Sequence, residues 1–590
     1  MKRPLSFVLC LSLLLGSNLL GSAPESELEA LLETGRFDLV LAAGEPSRSD
    51  RRALDAFVTA LTLAGHDREA AAVIARAVAA DPEFAQRYAA ESACAQGRWT
   101  AAAQAAAGRS RVTDGFWSPA AAAWMAVVAH RAEIAEEMLA LARDRAGSDR
   151  NRLLTDVLAL AVSMLSSRHD EVLARHPAIR AEAVRLQAPA LEAWADQLAA
   201  ASLISRARYP DAEVAAARAL ELAQATGADR TAAAALRVLA VAARYQNRLP
   251  EAFTHLEKME AIAARHGDRY VESRANSLRS VLLTDTGRRE EAVRVMRRAL
   301  EIAERDDDAM RATVTTNNIG YTSLELGELA EGVRWMNRAM RQFEALGNAD
   351  GPIYTRTGQS LAWRLQGNLA EAERLAREAL ARAQAARSAY FQNESHAALL
   401  PVLLFTGRED EAAGVLSAAL AVDPKNEVST TMFVRLQHLR GLILREDPSA
   451  ADYAEKLEQD FTKLGERTLA ERCFALRCRL LWESDPSGAA SRLARLDEIA
   501  RVGAIEAAVE ARIARGGIAW KQGRPAEAKA EFDSALRQAG RSGSLESELE
   551  VRAVMFRLGV PGQEVAREAA IRLARAAGFA LHARYMAGAR

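Results

Sequence analysis

Between residues 193 and 543, apolar residues recur at three-and-four spacing in stretches separated by short turns, the pattern of helices with one buried face. The turns are periodic. Gly287, Gly327, Gly367 and Gly407 stand 40 residues apart, and Asn247 and Ala207 continue the series backward. Five residues after each turn comes a small side chain: Ala212, Ala252, Ala292, Gly332, Ala372 and Ala412. Seven further on lie Ala219, Met259, Ala299, Ala339, Ala379 and Ala419, and seven before each turn Ala200, Ala240, Ser280, Gly320, Ser360 and Leu400. A second turn closes the unit at Gly227, Gly267, Asp307 and Gly347. The spacing predicts two helices per unit, of about 13 and about 18 residues, antiparallel because the connections are short. Small side chains let the helices cross at close range, so a leucine at Ala292 or Ala372 would overpack the crossing at roughly 1–3 kcal/mol. The turn glycines supply left-handed helix caps. One pair cannot bury its apolar face alone, and each unit needs its neighbours.

Organisation follows from this period. Residues 193–426 hold six regular units. Residues 427–543 hold two diverged units, marked by Asp447-Pro448 and Asp485-Pro486 and closed by Gly465 and Gly503, and one good unit from Gly516 to Gly543. Residues 544–590 are expected to form capping helices broken at Gly559, Gly562 and Gly578. Residues 24–192 read as irregular helical repeats with turns near Gly65, Gly97 and His130, and the stretch 150–190 matches the pattern poorly.

The stretches Gly287–Ala292, Gly367–Ala372 and Gly523–Ala528, together with Asn317–Gly320 and the Asp-Pro pairs at Asp81 and Asp423, resemble the tetratricopeptide repeat. A 40-residue step resembles its extended subclass. The resemblance implies an all-α, right-handed α-solenoid with a concave groove lined by the first helix of each pair. By offset, the groove would carry Arg237, Arg244, Arg274, Asn317, Tyr321, Tyr354 and Arg364. Tyr321 and Tyr354 would flank one pocket, Asn317 would pair with a peptide amide, and the arginines would take a carboxylate. The lysine-and-asparagine clamp of some such modules is not reproduced, since its slots hold Ser277 and Val281. The family implies a protein or peptide partner. A sensor acting on a separate signalling effector is the alternative, and an envelope enzyme using the concave face a remote third.

Composition narrows the function classes. Charge is balanced, with 77 basic against 78 acidic residues, and no basic run suggests a nucleic-acid partner. Lysine is nearly absent: 7 residues against 70 arginines. Phosphate-loop, dinucleotide, serine-hydrolase and zinc-protease motifs are all missing, so no enzyme activity, cofactor or metal is expected. His169 and His176 would lie about 10 Å apart on one helix face, too far for a shared ion, with Pro177 closing the segment. Cys473 and Cys478 point to different helix faces and are expected to stay unbridged. Trp335, Trp363 and Trp520 are expected in the core. Residues 1–23 read as an export signal: Lys2 and Arg3, an uncharged stretch from Leu5 to Leu15, then Gly21-Ser22-Ala23 as a cleavage site. A periplasmic or secreted bacterial protein is expected. If the segment were left uncleaved, it would anchor the chain and be its one contact with a membrane.

Overall fold

A computed structural model describes residues 31, 37–47, 50–112 and 116–588, the last range apart from residues 167, 207, 247, 306–307, 349, 387–388, 423–427, 465, 486–487 and 489–490. The export segment, the turns at Ala207, Asn247 and Asp307, Gly465, Asp423 and Pro486 lie outside the described residues. Among the described residues there are 31 helices and no strand. The fold is an all-α solenoid of helix pairs.

The chain divides into two compact units. The N-terminal unit comprises Met1–Arg244, Arg248–Leu278 and Ile302–Asp308, and the C-terminal unit Tyr245–Asn247, Arg279–Glu301 and Ala309–Arg590. Small side chains at the crossings behave as the spacing predicts. Ala292, Ala372 and Ala412 are buried, and the Ser360 hydroxyl donates 2.8 Å to the Ala372 carbonyl on the adjoining helix. Gly320 and Gly332 face each other across the Ala309–Glu325 and Leu329–Ala345 helices. A Cβ on Gly332 would sit 2.5 Å from the Leu324 side chain and 2.9 Å from the Gly320 carbonyl. No larger residue fits there without moving a helix. The turn glycines 287, 327, 367 and 407 all have positive φ, as their capping role requires.

Two expectations change. First helices run to 17 residues, as in Asp229–Tyr245 and Ala309–Glu325, not about 13. The 150–190 stretch is a full helix pair, Asp149–Leu165 and His169–Arg185. Asp149, Pro189, Asp229, Arg269 and Ala309 open successive first helices in 40-residue steps. Gln187 occupies the slot of Gly227, at φ 51°, so the residue type concealed the turn. Pro177 does not end its helix. Its missing N–H removes one backbone bond, while buried Val172, Ile179 and Ala183 hold the helix to its neighbours.

In each unit the solenoid coils until its turns touch. In the N-terminal unit the Gly65 turn abuts Arg230 and Asp268, Gly227 abuts Asp38, and Gly267 abuts Arg68. In the C-terminal unit Gly287 abuts Val502, Gly327 abuts Ile505 and Ser542, Gly367 abuts Leu545, and Gly407 abuts Ala580. Arg289 donates 2.7 Å to the Val502 carbonyl, and Arg584 pairs with Glu409 at 2.7 Å. What lines the groove of a more open array is here enclosed at the centre of a coil.

Candidate functional site

In the C-terminal unit the inward-facing residues are used up by one another. Tyr321 and Tyr354, on adjacent first helices, meet as the spacing predicts, but their rings stack at 4.4 Å instead of flanking a pocket. The Tyr321 hydroxyl donates 2.6 Å to the Tyr354 carbonyl, and burial raises both phenols well above their ordinary pKa. Asn317 is 2% exposed, and its side-chain oxygen accepts the Thr355 hydroxyl at 2.9 Å, so the amide is committed to the neighbouring repeat.

Arg364 is equally committed. It grips the Glu546 carboxylate and reaches Glu506 at 3.4 Å. Arg440 donates to Glu546 at 2.6 Å and Glu550 at 2.5 Å. Arg472 binds Glu506 and Glu510 at 3.1 Å, and Arg479 lies 3.8 Å from Glu550. Four arginines thus meet four glutamates in the interior. Burial works against the Glu550 carboxylate, but Arg440 and Arg479 outweigh it and hold the group at about 2. Burial also lowers His582 to about 4. That ring is fully enclosed and meets Phe405 and Phe579 in T-shaped contacts, with ring centroids 4.9 and 5.3 Å apart.

The N-terminal unit keeps space. A cavity of about 340 Å³ is lined by Trp117, Trp124, Trp194, Tyr270, Arg237 and Arg274, among others. Two of the arginines expected on the groove are therefore at its wall. Arg244 lies half-buried on the same helix as Arg237, outside the lining. At one edge sits Arg230, which donates to Asp67 at 2.9 and 3.2 Å and to Asp268 at 2.7 Å. Its guanidinium lies over Trp99, Trp124 and Tyr270 at 5.4, 5.0 and 5.8 Å, contacts in which a cation meets the negative face of each ring. Burial pushes Asp67 up to about 7, with Arg230 opposing and Asp268 adding to the rise. Arg274 lies 4.3 Å over the Tyr270 ring, which leaves an apolar wall studded with oriented cations.

The tryptophans were not expected as a site. Four of the eight, Trp99, Trp117, Trp124 and Trp194, fall within 96 consecutive residues, a clustering that the repeat period does not require. Trp363 and Trp520 pack against core clusters. Trp335 is half-buried, its N–H donating 2.8 Å to Glu331. His169 and His176 go to different partners, Ser202 at 3.5 Å and Asp196 at 2.7 Å. Cys94, Cys473 and Cys478 are buried and free.

Comparison with family models matches residues 279–305 and 360–388 to the tetratricopeptide repeat. The chain carries tetratricopeptide repeats at these two stretches. Among solved structures similar to this repeat protein is a Rap protein complexed with competence and sporulation factor, at 14% identity and TM-score 0.44, covering 64% of this chain and 98% of that one. The APC/C hetero-tetramer Cut9–Hcn1 aligns at 12% identity and TM-score 0.41, over 86% and 96%. Aspartyl phosphate phosphatase F of Bacillus subtilis aligns at 12% and 0.37, over 61% and 92%. Comparison with curated proteins gives no match. What the tetratricopeptide repeats of this chain hold is therefore read from its own geometry.

Proposed function

We propose that the chain is a non-catalytic binding scaffold that takes an anchor of a protein or peptide partner into the interior of its N-terminal unit. The observation that carries this reading is the cavity beside Arg230. At about 340 Å³ it stands at the small end of ligand sites, sized for one anchoring segment rather than a long stretch. Tryptophan faces offer a large apolar contact, and Arg237 and Arg274 offer charge-assisted bonds to a carboxylate. An apolar side chain close to a carboxylate, as at a peptide C-terminus, matches both. The stacked tyrosines of the C-terminal unit are packing residues in this reading, and that unit is the frame.

The sequence supports export, through Lys2, Arg3 and the uncharged stretch that follows. Among the described residues no helix is long and apolar enough to cross a membrane. Fractionation of the native host with N-terminal sequencing of the recovered chain tests export. Retention of the full chain in the cytoplasm rejects it.

The site is tested by photo-crosslinking from two positions, Trp194 and Tyr354, in the native host. A specific adduct from Trp194 alone, lost when Arg274 is changed to alanine, is the expected outcome. Adducts from Tyr354 alone place the partner on the C-terminal unit and reject the reading.

A further inference from the structure

A second cluster in the N-terminal unit has no part in that binding reading. His66 precedes the Asp67–Ala80 helix, Asp229 opens the Asp229–Tyr245 helix, and His266 ends the Leu249–His266 helix. The three lie far apart in sequence and are delivered to one point by rigid helix ends. His66 Nε2 is 2.9 Å and His266 Nε2 3.0 Å from the same Asp229 oxygen, Oδ2. Their imidazole rings stack at 3.7 Å and 13°. His66 is 9% and His266 8% exposed.

The arrangement leaves one group unsatisfied. His266 Nε2 is buried and without a hydrogen-bond partner despite the 3.0 Å approach, because distance alone does not make a bond when the angle fails. On the other side of the ring, Nδ1 lies 3.4 Å from Glu69 Oε1. A carboxylate at Nδ1 fixes the proton there and presents the Nε2 lone pair, the outer-shell arrangement that accompanies histidine ligands of metals.

We infer that His66, Asp229 and His266 form a site for a divalent transition-metal ion of the zinc class, with Glu69 positioning His266. All three candidate ligand atoms lie within 4.8 Å of one another. Bonds of about 2.0–2.1 Å to a tetrahedral ion separate neighbouring ligand atoms by about 3.3 Å, so the two 2.9–3.0 Å gaps need open by only a few tenths of an ångström. The stacked rings have to rock apart as the ion enters, so that both Nε2 lone pairs converge on it. Two imidazoles and one carboxylate leave a fourth position for water. The sequence gives no sign of the site, since the residues share no short motif.

Position tells what the ion would do. His66 joins the Arg51–Ala64 and Asp67–Ala80 helices, and Asp229 and His266 belong to the Asp229–Tyr245 and Leu249–His266 pair, which meets them after one turn of the coil. A metal here staples that turn shut.

The full chain, purified without a histidine tag, is dialysed against chelator and titrated with Zn²⁺ by calorimetry. One saturable equivalent is expected, with affinity reduced roughly 10- to 100-fold in His66→Gln, His266→Gln and Asp229→Asn. A raised melting temperature with Zn²⁺, reversed by chelator, is expected in the parent alone. No saturable binding, or unchanged binding in all three variants, overturns the inference. Should the variants fail to fold, Co²⁺ titration of the parent decides. Visible d–d bands of four-coordinate cobalt without a thiolate charge-transfer band support the site. Absence of these bands, or a thiolate band from a cysteine, rejects it.

Discussion

At the centre of the N-terminal unit one arginine, Arg230, holds two aspartates beneath aromatic faces, and a cavity remains beside it. At the centre of the C-terminal unit four arginines interlock with four glutamates and the tyrosines stack on each other. An interior closed by matched charges has every group committed, and moving one leaves another unpaired in a medium that penalises it. Flat aromatic walls cannot interdigitate as fully, and space persists between them. The contrast separates a unit built to hold still from a unit able to admit something.

The largest test breaks the charged interior. Arg440→Met leaves Glu546 to Arg364 alone and Glu550 only the 3.8 Å approach of Arg479, and is expected to destabilise the C-terminal unit by up to about 3–5 kcal/mol, measured as a fall in its denaturation midpoint. Adding Glu550→Gln to that variant should restore part of the loss, and a double variant as unstable as the single one would show that shape, not charge, fixes this interior. Next comes the helix crossing: Ala372→Leu is expected to cost roughly 1–3 kcal/mol through the contact with Ser360. An unaltered melting temperature would mean the crossing has slack.

Acid should then drive the two interiors in opposite directions. Asp67 sits at about 7 in the folded unit, above the ordinary value of about 3.9. Its ionisation therefore opposes folding at high pH, and that penalty is relieved as pH falls through about 7 towards about 4. Glu550, held at about 2, stabilises its unit above the unfolded value of about 4.3. That contribution is lost as pH falls below 4 towards 2. Hydrogen exchange read by mass spectrometry reports each unit separately. Asp67→Asn should abolish the first dependence and Glu550→Gln the second, and parallel pH profiles for the two units would refute the contrast. The smallest effect is expected from Tyr321→Phe, which removes the hydroxyl's contacts with the Tyr354 carbonyl and the Thr357 hydroxyl, each worth about 0.5–1.5 kcal/mol, and should leave crosslinking from Trp194 untouched. Loss of that crosslink would return the site to the tyrosines.

Much of the fold was legible because small residues recur in phase. Gly287, Gly327, Gly367 and Gly407 adopt the left-handed turns their spacing predicts, and Ala292 and Ala372 are buried at crossings. The 149–185 pair matched the pattern poorly because Gln187 bears a positive φ where glycine is the usual signal. His130 and Glu446 do the same at other turns. The site was only partly legible. Offsets brought Arg237 and Arg274 to the cavity wall and Tyr321 onto Tyr354. They could not show that Arg364 is claimed by Glu546, 182 residues away, because local periodicity carries no information on where a coil meets its own next turn. The same blindness hid Asp229 from His66.

That self-contact also limits how such a gene can change length. In the C-terminal unit Gly327, Gly367 and Gly407 each meet a residue five helix pairs further on, at Ile505, Leu545 and Ala580. Duplicating or deleting a single pair between them would shift every one of these meetings at once and separate Arg364 and Arg440 from their glutamates. Open solenoids grow by adding modules one at a time. Here the module number is locked, and variation between descendants of this chain should accumulate in side chains and at the ends, leaving the tally of repeats fixed.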